Sequence, residues 1–157
     1  MKKTLAMRLL DQAKKTYSTI SYPYDNQTDI ENRTFSDPNF SMERLFKTLV
    51  TKGDKTGVVV AVVPIHEKLS LKKLSKLSGN KKMTLLPLED LQKTTGYVRG
   101  GCSPLAMKKP FPTFLDNSIF DHKQIAVNAG QRGLLLDINP EDLLAAIEEA
   151  VVDDILL

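Results

Sequence analysis

The sequence predicts an α+β domain with a mixed, mostly antiparallel sheet, and three observations carry that prediction. Its strand-like runs are short and rich in β-branched residues, FKTLVTK and VVVAVVP on either side of GDKTG being the clearest. Helical stripes recur at three or four places along the chain. The two kinds of segment do not alternate regularly, which argues against a doubly wound parallel sheet. A chain of 157 residues closes one core and leaves too little for a second, so residues 1–157 are read as a single domain.

Thr4 is a good N-cap for a stripe of Leu5, Ala6, Leu9, Leu10 and Ala13, predicting a first helix to about Lys15. Tyr17 to Tyr24 reads as a strand ended by Pro23. The polar stretch from Asp25 to Asn39 reads as a long loop or a weak helix. Ser41 caps a single turn through Arg44, and FKTLVTK and VVVAVVP then form a hairpin bent at Gly53 and Asp54. Ser70 opens a helix with Leu71, Leu74 and Leu77 inward, Lys72, Lys73 and Lys76 outward, and Gly79 as its stop. Pro87 starts a short helix ended by Gly96. TFLD, QIAVNA and GLLLDI are short strands, the last two parted by the turn GQRG. Asn139, Pro140, Glu141 and Asp142 cap a closing apolar helix, with the acids at the positive end of its dipole.

Composition narrows the function classes. At 41% hydrophobic, 26% charged and 6% aromatic residues, the chain is neither fibrous nor disordered. One cysteine permits no intramolecular disulfide and favours a reducing compartment. Arg8 and Asp11 interrupt the apolar run behind Lys2 and Lys3, so no export signal is expected, and no apolar stretch reaches the roughly 20 residues of a membrane span. A cytoplasmic protein without membrane attachment is the expectation. The net charge of +3 admits a polyanionic partner but does not amount to a wholly basic surface.

Three places hold residues that are unusual for a core. Lys47 puts a cation beside Leu49 on one face of a strand; it either snorkels to water or aims an ammonium into a pocket, where it would hold an anion or a developing oxyanion. In TGYVRGGCSPLAMKK, Gly100 and Gly101 let the backbone approach a ligand closely and Pro104 stiffens the exit, although a surface turn uses the same residues. Asn128 to Gly133 reads as a hairpin turn that can also reach the same cavity. Cys102 has only His66 and His122 as histidine bases, both distant in sequence, and reads as a packed thiol rather than a nucleophile. Ser103 lacks the surroundings of a nucleophile elbow, and no ligand spacing supports a metal site. The lysines at 68, 72, 73, 76, 81 and 82 form a solvated helix face or track a phosphate backbone.

The segments LFKTLV, TGYVRGGCSPLAMKK and AVNAGQRGL, in this order, resemble the YbaK and prolyl-tRNA-synthetase-associated editing domain family over nearly the entire chain, most closely its free-standing YbaK type. The resemblance implies a partly closed, barrel-like sheet surrounded by helices, with no cofactor and no metal. It implies hydrolytic removal of a wrong amino acid, cysteine first, from tRNA(Pro), with tRNA(Cys) as a further substrate and prolyl-tRNA synthetase as a partner. An alanine-specific deacylase and a non-catalytic tRNA- or synthetase-binding module are the alternatives. By the same resemblance Lys47 is the essential lysine, and Tyr22, Gly100, Gly101, Cys102, Ser103, Pro104, Asn128 and Gly130 bind substrate, the N–H groups of Gly101 to Ser103 holding its carbonyl or amino group. Cleavage in that type is attributed to the substrate's own thiol. The chain departs from the family at Cys102, Ala106, Asn128 and Ala129, and at Tyr24, where histidine is frequent.

Overall fold

A computed structural model describes residues 2–25, 35 and 40–157 of the chain. The Thr4 hydroxyl accepts from the Met7 N–H at 3.2 Å and opens α1 (Leu5–Gln12), which buries Ala6, Met7 and Leu10. This helix stops short of Lys15 because Lys14 turns left-handed, at φ 58°, and the Lys15 N–H folds back to the Leu10 carbonyl. The expected loop from Asp25 to Asn39 lies outside the described residues apart from Asp25 and Phe35. Ser41 caps a single 3₁₀ turn, Met42–Arg44, as its hydroxyl predicts. Arg44 fastens that turn to the body of the domain through a half-buried ion pair with Asp137, at 2.9 Å, and a bond to the Gln124 carbonyl.

Two sheets result. In the first, β1 (Tyr17–Ser21) and β6 (Ile125–Gln131) flank β7 (Leu134–Ile138), both antiparallel to it. In the second, β2 (Phe46–Gly53) and β3 (Gly57–Pro64) form the predicted hairpin, with Lys47 opposite Val63 and Gly53 opposite Gly57. The edge strand β4 (Met83–Leu85) pairs antiparallel with β2. On the other side β5 (Thr113–Asp116) and β8 (Ala150–Asp153) run parallel to β3 and to each other. The partly closed, barrel-like sheet that the resemblance implies takes the form of two open sheets, which among the described residues meet at the parallel bridge Leu45 to Ala126.

Burial follows this layout. Residues Val59 to Val63 are fully buried because β3 is central and both of its faces are covered, which is why its sequence shows no alternation. One core joins α1 to the inner faces of both sheets, through Leu10, Phe46, Val62, Leu115, Val127 and Leu136. A second lies under α2 (Leu71–Ser78) and contains Leu74, Val59, Val63 and Phe114. Leu77, expected to face inward, is instead 39% exposed, since this eight-residue helix touches the sheet mainly at Leu74. The closing segment forms α4 (Pro140–Ala146), but the β-branched run that follows becomes β8 instead of more helix. Among the described residues no helix is long and apolar enough to cross a membrane.

Candidate active site

A cavity of about 840 Å³ opens between the two sheets, within the range that encloses a small-molecule ligand. Its floor is the start of β2, where Leu45, Phe46, Lys47 and Thr48 all line it. Tyr22 and Tyr24, just after β1, form one wall, and Asn128, Arg132 and Leu135 of the β6–β7 hairpin another. Leu88, Leu91 and the bend from Val98 to Gly100 line its mouth, which is open to solvent. The half-buried Lys47 therefore shares this space with the diglycine bend, together with Tyr22, Gly100, Cys102 and Asn128.

The bend is held from three sides. α3 (Leu91–Thr95) ends at Gly96, left-handed at φ 90°, and the Thr95 hydroxyl accepts from the Tyr97 N–H at 3.0 Å. The buried Tyr97 hydroxyl donates to the carbonyls of Leu105 and Ala106, at 2.5 and 3.3 Å. Across the cavity Asn128 donates from Nδ2 to the Gly100 carbonyl at 2.9 Å, while its Oδ1 accepts from the N–H groups of Gly130 and Gln131. Arg132 donates from Nε to the Arg99 carbonyl at 2.9 Å and lays its guanidinium 5.1 Å from the Tyr24 ring centre. Gly100 needs its glycine: at φ 84° a Cβ there would lie 2.9 Å from Cε2 of Tyr24.

Several expected binding residues lie behind the wall. Gly101, Ser103, Pro104 and Gly130 do not line the cavity. The Gly101 N–H is committed to the Val98 carbonyl at 2.9 Å, so of the three expected donors it is the one already taken. Ser103 is fully buried and its hydroxyl accepts from the Leu105 N–H, which turns the chain out of the bend. Pro104 faces a smaller, separate cavity with Leu9, Met107 and Phe111. Gly130 sits against the Tyr97 ring, where a Cβ would be 3.1 Å from Cε1. Asn128 does line the cavity, but its amide is spent on bracing the bend.

Cys102 belongs to the wall and is half-buried. Burial pushes its thiol up to about 12, so it stays protonated near neutrality and is a poor nucleophile, as its sequence context predicts. Thr48 is the residue that the sequence does not single out. It lines the cavity, and its Oγ1 is buried with no hydrogen-bond partner among the described residues, an arrangement that costs free energy. A threonine in a strand is otherwise explained by β-propensity, so no sequence signal marks it.

Comparison with known proteins identifies the family and the fold. Residues 33–146 match the model of the aminoacyl-tRNA editing domain family. A protein of Enterococcus faecalis, EbsC, provisionally named a Cys-tRNA(Pro)/Cys-tRNA(Cys) deacylase, is 46% identical over 143 residues, spanning 91% of this chain and 87% of its own. A Bacillus subtilis protein without an assigned role, YwhH, is 27% identical over 103 residues, covering 66% of this chain and 65% of its own. A solved structure described as a provisionally assigned trans-editing enzyme for prolyl tRNA synthetase superposes with a TM-score of 0.81 at 22% identity, covering 99% of each chain, and so shares the fold.

Proposed function

The chain belongs to the aminoacyl-tRNA editing domain family, and from that membership we propose that it is a trans-editing deacylase that removes cysteine from tRNA(Pro), and from tRNA(Cys), by cleaving the aminoacyl ester. The observation that carries this reading is the cavity that Lys47 shares with a diglycine bend braced by Asn128. An aminoacyl ester is already activated, so a protein that holds it and stabilises its oxyanion needs no nucleophile of its own. The protonated Cys102 thiol fits that economy.

In this reading the N–H group of Cys102, which has no acceptor among the described residues, faces the substrate carbonyl or amino group. The Lys47 ammonium binds the terminal ribose-phosphate or the developing negative charge. The substrate's thiolate attacks its own carbonyl carbon: a C–S bond forms, the C–O ester bond breaks, and the 3′ oxygen of the ribose leaves and takes up a proton. A nucleophile within the same molecule has an effective molarity of about 10⁵ M or more when well aligned. Selectivity then rests on chemistry, since an amino acid lacking the thiol cannot cyclise, whereas a methyl group alone changes binding by only ~1–3 kcal/mol. Prolyl-tRNA synthetase is the natural source of the mischarged tRNA and a candidate partner.

Incubation of the protein with Cys-tRNA(Pro), Ala-tRNA(Pro) and Pro-tRNA(Pro) tests the reading. The cysteinyl ester is lost fastest, and Lys47→Ala lowers that rate by about a hundredfold or more, the scale of losing one charge-stabilising contact. No loss of any ester above the buffer rate refutes the enzyme reading and leaves a binding module. Preferential loss of the alanyl ester refutes the thiol mechanism.

A further inference from the structure

Positive charge is not spread evenly over this protein. The turn between β2 and β3 lies against the segment leading into β4: the Asp54 N–H donates to the Lys82 carbonyl, and the Asp54 carboxylate accepts from the N–H groups of both Lys81 and Lys82. Behind this junction the buried Asn80 accepts from the N–H groups of Lys55 and Thr56 and donates to the hydroxyls of Thr56 and Ser78. Asn80 also fills the space over Gly53, where a Cβ would come within 2.3 Å of it. Two loops are thereby fixed as one platform. From it Lys52, Lys55, Lys81 and Lys82 are exposed, and among the described residues none of the four is in an ion pair. Four lysines against one aspartate leave a surplus of three, as large as the net +3 of the whole chain.

The platform is connected to the cavity by the strands themselves. β2 begins in the cavity wall at Phe46 and Lys47 and ends under the platform at Gly53. Six residues of strand, at about 3.3 Å each, separate Lys47 from Gly53 by ~20 Å. Along the sheet edge, β4 leads from Lys82 through the exposed Leu85 to Leu88 at the cavity mouth.

We propose that this lysine platform is a second contact site for RNA, which grips the phosphate backbone of the strand whose 3′ end occupies the cavity. The inference rests on the deacylase reading for what fills the cavity, but the charge asymmetry that supports it is independent of the chemistry. Exposed lysines on fixed loops, outside any ion pair among the described residues, suit phosphate, which they bind as point charges without base recognition. The surrounding sequence, residues 51–86, has no aromatic residue to settle into a lipid interface, which favours RNA over an anionic membrane.

The test is a variant with Lys55, Lys81 and Lys82 replaced by Gln, beside a control of equal charge with Lys14, Lys15 and Lys123 replaced by Gln. Binding of uncharged tRNA is measured across a salt series, and cleavage is measured on aminoacyl-tRNA and on a cysteinyl-adenosine ester that is too short to reach the platform. The platform variant binds tRNA about tenfold or more weakly than the control, and its salt slope is shallower by about 2–3, as expected for three lost phosphate contacts. Its KM for the tRNA ester rises while cleavage of the short ester is unchanged. Equal affinity and slope in the two variants overturn the proposal, as does an equal loss on the short ester. Vesicles of anionic phospholipid that bind wild type and not the platform variant, with tRNA binding unaffected, overturn it in favour of a membrane. If wild type cleaves neither ester, the deacylase reading fails, and the salt series on uncharged tRNA still decides the platform.

Discussion

Gly100→Ala separates the shape of the bend from the stability of the fold. Gly100 and Gly79 have nearly the same left-handed backbone, at φ 84° and 82°, but different surroundings. A methyl group at Gly79 meets nothing within 4 Å, whereas at Gly100 it would lie 2.9 Å from Cε2 and 3.0 Å from the hydroxyl oxygen of Tyr24. Both substitutions carry the left-handed strain of a Cβ, ~1–2 kcal/mol. At about 2–4 °C per kcal/mol for a domain of this size, Gly79→Ala lowers Tm by ~2–8 °C. Gly100→Ala also displaces the Tyr24 ring from the Arg132 guanidinium, 5.1 Å away. That contact is worth ~0.5–1 kcal/mol, so the total loss becomes ~3–12 °C. The distinguishing readout is deacylation. Moving a cavity wall by an ångström costs up to a hundredfold, so kcat/KM of Gly100→Ala falls about ten- to a hundredfold while Gly79→Ala keeps wild-type activity below its Tm. Full activity in Gly100→Ala, or an equal loss in both variants, refutes the assignment of the bend to the substrate site.

Three other outcomes follow from the same contacts. Cys102→Ala keeps deacylase activity within about threefold, since the thiol is protonated near neutrality. The folded protein holds that proton more tightly than the unfolded chain, so the thiol's contribution to stability is complete below its ordinary 9.0 and lost as pH rises toward about 12. Denaturant titrations between those pH values therefore show a smaller alkaline decline in Cys102→Ala than in wild type. Tyr97→Phe strands the buried Leu105 carbonyl at a cost of ~1–3 kcal/mol, read as a Tm lower by ~2–12 °C and faster amide exchange in residues 98–106. Ala106→Gly relieves a φ of 60° and raises Tm by ~1–4 °C after the added chain entropy of glycine is subtracted, which a thermal melt decides.

What the sequence discloses is what local chemistry decides. The caps at Thr4, Ser41, Ser70 and Asn139 are legible because each hydroxyl or amide satisfies an N–H two or three residues ahead. The β2–β3 hairpin is legible because its turn residues and hydrophobic runs agree. β4 escapes notice because three residues of Met-Thr-Leu carry no periodic signal, and it exists only because the β2 edge is there to pair with. β8 is hidden for a related reason: Ala150 to Asp153 continue the apolar pattern of α4, and only the parallel edge of β5 recruits them. In the site, Lys47 and the diglycine are conspicuous because each is costly in an ordinary core. Thr48 and the bracing role of Asn128 are invisible, since both depend on which atoms across the cavity are left to bond.

The register slip in β6 between Asn128 and Gln131 has a consequence for how this protein handles its ligand. By spending one side-chain amide on three backbone groups, it fixes the shape of the bend when the chain folds and leaves little to be ordered when a ligand arrives. An enzyme assembled in this way does not wait for the correct amino acid to mould it. On the proposed reading it offers every incoming ester the same rigid cradle and leaves the choice among them to their own reactivity.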